Sequence, residues 1–144
     1  MKEPLLMSAC LMGVHCRYDG GGRMLAELPE LRKRYEIIPV CGEVMGGLPT
    51  PRIPAERNGN AVFNRNGEDV TEPFRRGAEE VLRLAECFGA KRALLKERSP
   101  SCGSGEIYDG TFSGKRKEGY GMTAELLLAN GIAVYGESRV RELL

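Results

Sequence analysis

No stretch of the chain approaches the roughly 20 apolar residues that a membrane helix needs, so the sequence predicts a soluble protein without a membrane partner. Charge of neither sign dominates: 21 Lys plus Arg against 20 Asp plus Glu leave a net charge of +1. That balance exerts no general pull on nucleic acid or anionic lipid, and no nucleic-acid partner is expected. The richest basic stretch, Lys115 to Lys117, sits between glycines and reads as a solvated loop. Histidine occurs once, at His15, where a solvated loop position is expected. CxxC pairs are absent, so a structural zinc module would have to assemble over long range. Gly20, Gly21 and Gly22 form neither a GxGxxG nor a Walker pattern, so nucleotide-phosphate binding is not expected.

What is present suits one compact domain over residues 1–144: hydrophobic residues make up 42% and charged residues 28%, near the averages for globular chains. Five cysteines is an odd number, and their spacing is not that of a disulfide framework, so a reducing, cytoplasmic setting is expected. Leu6-Met7-Ser8-Ala9-Cys10 imitates a lipoprotein cleavage site. The apolar stretch before it, Pro4 to Ala9, is shorter than the roughly 7–15 residues such a leader needs, and Glu3 interrupts a basic start, so Cys10 reads as internal.

Along the chain, Pro4 to Cys10 reads as a buried strand, and Leu25, Leu28 and Leu31 mark a helix ending in Lys33-Arg34. Tyr35 to Val40 reads as a second strand, stopping at Cys41. Residues 42–59 carry glycines and prolines without periodicity and predict a long binding-type loop. A small hairpin is expected around Asn66-Gly67, pairing Ala61 to Asn64 with Glu68 to Val70. Thr71 then caps a helix whose apolar face is Phe74, Ala78, Val81, Leu82 and Ala85, closed by Gly89. Arg92 to Lys96 is a third strand, a glycine-rich stretch runs to Gly121, Thr123 caps a last helix, and Ile132 to Tyr135 is a fourth strand. Alternating strands and helices predict an α/β fold: a three-layer αβα sandwich around a mostly parallel sheet, with one small β-hairpin excursion.

In such folds, ligands bind where the strands end. Cys10, Cys41 and Cys102 each follow a predicted strand, so three thiolates are expected at one sheet edge, beside glycines that admit a bulky inorganic group. Three protein ligands leave a fourth metal position open, as in catalytic sites. Glu43 and Ser101 adjoin the cysteines and are candidate proton carriers; the bland alternative pairs Glu43 with Arg52 or Arg57 and gives Ser101 to a turn. Cys16 stays outside the ligand set on this reading, and Cys87, on the clearest helix, is expected to pack.

Ser8-Ala9-Cys10-Leu11-Met12-Gly13, Cys16-Arg17-Tyr18-Asp19-Gly20, Pro39-Val40-Cys41-Gly42-Glu43, Gly46-Gly47-Leu48, Pro51-Arg52, Asp69-Val70-Thr71, Ser99-Pro100-Ser101-Cys102-Gly103 and Ile107 to Phe112 resemble the family once called domain of unknown function 523, of which some members are thiouracil desulfidases. The resemblance runs from about Met7 to Glu137. It implies a [4Fe–4S] cluster held by Cys10, Cys41 and Cys102, one iron free for the sulfur of a thiolated pyrimidine, and Glu43 and Ser101 as catalytic residues. The implied reaction is a non-redox desulfuration in which water replaces sulfur to give uracil and hydrosulfide. The family usually has proline where Gly42 stands, which suggests a freer loop around Glu43. Outside that resemblance, an iron–sulfur or thiol redox sensor and a zinc-binding module are the alternatives.

Overall fold

A computed structural model describes residues 1–144. Four strands, β1 (Glu3–Ser8), β2 (Tyr35–Val40), β5 (Arg92–Leu95) and β8 (Ala133–Gly136), form one sheet in the order β2-β1-β5-β8. Every pairing in it is parallel, with Leu5 opposite both Ile37 and Arg92, and Leu94 opposite Tyr135. The helices are α1 (Leu28–Arg34), α2 (Gly42–Met45), α3 (Thr71–Phe88) and α4 (Met122–Ala129). Two hairpins, β3 (Ala55–Asn58) with β4 (Ala61–Asn64) and β6 (Ser104–Tyr108) with β7 (Arg116–Tyr120), stand apart from the sheet. The expected α/β architecture is therefore present.

Alternation along β1 builds the two cores. Leu6 faces α3 and α4 with Val40, Val81, Ala85, Leu95 and Leu127, while Leu5 and Met7 face α1 and the C-terminal 3-10 turns with Leu31, Leu94, Val140 and Leu143. A sheet covered on both faces needs apolar residues at successive positions, which is why Leu5, Leu6 and Met7 run consecutively and are all fully buried. Each such side chain contributes about 1.5–3 kcal/mol of transfer free energy.

Several local expectations change. Thr71 and Thr123 lie inside their helices, which Val70 and Gly121 precede without any side-chain cap. The Thr71 hydroxyl accepts a hydrogen bond from the Val62 amide at 2.9 Å, and that of Thr123 meets Ser101 at 2.8 Å; both tie their helix to a neighbour. The principal hairpin turns at Gly59 (φ 63°) and pairs Ala55–Asn58 with Ala61–Asn64. Asn66-Gly67 makes its tight turn, but only Phe63 and Asp69 bridge there. Residues 42–59 hold α2 and β3, and the glycine-rich stretch holds β6 and β7. Leu82 is partly rather than fully buried.

Gly42 loosens nothing. It is buried at the start of α2, where an added Cβ would run into the Ser101 and Thr123 hydroxyls. On the facing helix a Cβ at Gly77 would run into the Gly42 carbonyl, and one at Gly46 into the Pro73 carbonyl. Helix α2 thus rests on α3 backbone to backbone, and Glu43 is carried on that seat. In an ordinary helix interior Gly→Ala stabilises by up to about 1 kcal/mol. Here Gly77→Ala is expected to destabilise by about 1–3 kcal/mol through overpacking, read from the urea midpoint; a stabilised variant would refute the close contact.

Candidate functional site

The parallel strands bring their C-terminal ends to one edge, and a cavity of about 490 Å³ opens there. Cys10, Cys16, Cys41 and Cys102 all line it. Cys10 lies in a 3-10 turn directly after β1, closed by Gly13 at φ 92°. Cys41 is the extended residue between β2 and α2. Cys102 ends a turn whose amides at 101 and 102 both donate to the Ser99 hydroxyl, at 3.0 and 3.1 Å.

Burial sets the state of these thiols. It pushes Cys102 up to about 12, with Cys41 and Cys10 adding to the effect and the Ser8 hydroxyl working against it. Burial likewise pushes Cys10 up to about 11, aided by Cys41 and opposed by Lys96 and Arg17. Cys16 is raised to about 12 by burial, then by Cys41 and Cys10. A lone thiolate at Cys10, Cys16 or Cys102 is thus disfavoured, and a positively charged partner bound there would stabilise the deprotonated form. No three ligand-type side chains come close enough to hold a single ion. Thiols spaced around a cavity of this size suit a multi-iron sulfide core better than one tetrahedral zinc, and their softness fits iron–sulfur chemistry.

Glu43 lines the same cavity with its side chain 16% exposed, and it is ion-paired with the 6%-exposed Arg52 at 2.9 Å. The expected pairing with Arg52 and a place in the site therefore coexist. The other carboxylate oxygen, Oε2, accepts from the Ser99 hydroxyl at 3.4 Å. Ser101 is only 1% exposed, does not line the cavity, and spends its hydroxyl on Thr123 at 2.8 Å. Ser99, two residues earlier, does line the cavity, as Ser8 does. Its signal was available in the sequence: a serine before proline opens a turn and points its oxygen at the following amides. His15 is exposed and outside the cavity, and Cys87 is exposed at the end of α3 instead of packed.

The two hairpins wall the mouth with Ala55, Glu56, Tyr108, Phe112 and Gly114. Buried Arg57 fixes them together, donating to the Gly59 carbonyl (2.8 Å), the Tyr120 carbonyl (2.6 Å) and Glu125 on α4 (2.7 Å). Glu56 accepts from the amides of Gly110 and Phe112, both at 3.0 Å, and so holds the tip that carries Phe112. Charge-assisted bonds of this kind contribute about 1.5–3 kcal/mol each. Glu56→Ala is therefore expected to speed hydrogen exchange at the Gly110 and Phe112 amides by about tenfold or more, with Ile107 little changed; unaltered exchange at the tip would refute this role.

Fold and site together define a small α/β protein with a thiol-lined cavity of the kind that holds a catalytic metal group. The chain belongs to the 2-thiouracil desulfurase family, whose model matches residues 5–139. It is 41% identical over 150 residues to the uncharacterized protein YbbK of Bacillus subtilis (strain 168), covering 97% of this chain and 99% of that protein. Among solved structures it is similar to the [4Fe–4S]-dependent thiouracil desulfidase TudS, with 48% identity and a TM-score of 0.94 over 99% of this chain and 95% of that one. The family expected from the sequence motifs is thus the family found.

Proposed function

We propose that this protein is a [4Fe–4S]-dependent desulfidase that replaces the sulfur of a thiouracil-like base with oxygen from water. The observation that carries the reading is the meeting of Cys10, Cys41, Cys102, Glu43 and Ser99 in one cavity. Cys10, Cys41 and Cys102 are the proposed ligands. When bound, the cluster supplies one iron without a cysteine ligand, a Lewis acid for the thiocarbonyl sulfur.

The chain's own groups supply the rest. Arg52 occupies Oε1 of Glu43 and leaves Oε2 toward Ser99. Glu43 takes a proton from a water as general base, and the Ser99 hydroxyl holds that water against the base. The water oxygen bonds to the ring carbon, the carbon–sulfur bond breaks, and sulfur leaves as hydrosulfide carrying one of the water's two protons, while the one taken by Glu43 passes to solvent; no oxidant or reductant is consumed. Tyr108 and Phe112 at the mouth offer flat apolar faces to a pyrimidine ring. Ser101 braces Gly42 and Thr123 in this scheme and takes no chemical part. Five free cysteines fit a reducing cytoplasm.

Protein purified without oxygen is expected to carry about four irons and four sulfides per chain, as such a cluster requires, and to release hydrosulfide from thiouracil. Cys10→Ala, Cys41→Ala and Cys102→Ala are expected to lose the iron, and Cys16→Ala to keep it. A colourless zinc protein would refute the reading. Glu43→Gln and Ser99→Ala should retain iron and lose about 10²–10⁴ in kcat, whereas Ser101→Ala stays within a few-fold of wild type. The reverse ranking of the two serines would return the chemical role to Ser101.

A further inference from the structure

We propose that Arg52 is a positioning residue that orients the Glu43 carboxylate and keeps one of its two equivalent oxygens free to face the reaction, and that its planar fork, beyond its charge, does this. The proposal rests on the reading of Glu43 as the base. Arg52 also lines the cavity, and on this proposal it acts through Glu43. Its Nε donates to Glu43 Oε1 at 2.9 Å, its Nη2 to the Cys16 carbonyl at 2.9 Å, and its Nη1 to the Pro49 carbonyl at 3.1 Å and the Thr50 hydroxyl at 3.2 Å. Its own amide donates to the Tyr18 carbonyl at 2.7 Å. One guanidinium therefore joins three segments, the distant cysteine-bearing loop at Cys16, the first turn of α2 and the proline-rich loop to which Arg52 itself belongs.

The geometry makes this a clamp. A carboxylate on a short helix turns freely about its last bond unless one oxygen is fixed, and the Nε contact fixes Oε1 alone. A bidentate grip would consume both oxygens; a single contact leaves Oε2 for Ser99 and a water. The guanidinium is itself immobilised, because its two outer nitrogens hold the Pro49 carbonyl of its own loop and the Cys16 carbonyl of a distant one. Lysine offers donors from one point, so it can neutralise Glu43 and still fail to bridge these partners.

The test is a cycle of Arg52→Gln, Arg52→Lys, Glu43→Gln and the doubles, with iron, sulfide and visible absorption measured on each protein before kinetics. Expected are wild-type iron in both Arg52 variants, kcat lowered about 10- to 100-fold as for other supporting residues, KM within about twofold, and only partial rescue by lysine. On a Glu43→Gln background, Arg52→Gln should change kcat by less than about twofold, since both act through one carboxylate. An undiminished kcat, an equal factor in both backgrounds, full rescue by lysine, or loss of iron from both Arg52 variants would each overturn the proposal. Full activity in Glu43→Gln would overturn the base assignment and this proposal with it; an inert Glu43→Gln beside a fully active Arg52→Gln would remove Arg52 alone.

Discussion

Everything at the site depends on the parallel pairing of β1 with β2 and with β5. Ser8 stands opposite Val40, and Met7 opposite Leu94, so the residues that follow each strand emerge at the same height on the same edge. With either neighbour reversed, its cysteine would leave at the opposite end of the sheet. The register is in turn enforced by burial: slipping β1 by one residue would exchange Leu6 for Leu5 and Met7 between two fully packed faces. The apolar core therefore places the thiols with no metal involved in the pairing.

Polar groups then complete what the sheet starts. Arg52 and Arg57 are almost fully enclosed, yet every donor used finds a carbonyl, hydroxyl or carboxylate, and no buried side-chain nitrogen or oxygen is left without a partner. Burying an unpaired charge would cost several kcal/mol. The two non-glycine residues with positive φ, Arg98 (69°) and Phe112 (56°), both line the cavity. Backbone conformations of that kind cost of order 1–3 kcal/mol each and persist where the surroundings over-determine them. For Phe112 the two bonds from Glu56 supply that constraint, and for Arg98 a bridge to Ile107 does so.

The sheet was legible in the sequence because its signal is local: apolar runs of strand length, a periodic α3, and Gly89 closing that helix at φ 68°. The convergence of Cys10 and Cys41 followed from strand direction, whereas Cys102, seven residues beyond β5, also needs the turn at Ser99, and Cys16 reaches the same cavity from a loop. Ser99 was not singled out from the sequence, because adjacency to Cys102 drew attention to Ser101 and says nothing about which way a side chain turns; the Ser101 hydroxyl turns to Thr123, 22 residues on, while Ser99 lines the cavity. The β6–β7 hairpin was hidden for a related reason. Its strands read SGEIY and RKEGY, largely exposed, with Ile107 alone buried, so no alternating apolar pattern marks it. Gly42 misled in the opposite direction: glycine reads as freedom in a sequence, whereas here its bare Cα makes room for the Ser101 and Thr123 hydroxyls packed against it.

The cavity's floor and its mouth belong to different parts of the architecture. The thiols and Glu43 hang from the parallel sheet and α2, while Tyr108, Phe112 and Gly114 belong to a hairpin outside that sheet, fastened at its edges by Arg57 and Glu56. The rim is thus a separate frame, held in place by side-chain bonds and not by the ladder of the sheet, so a change in its shape need not be transmitted to the strands that carry the thiols.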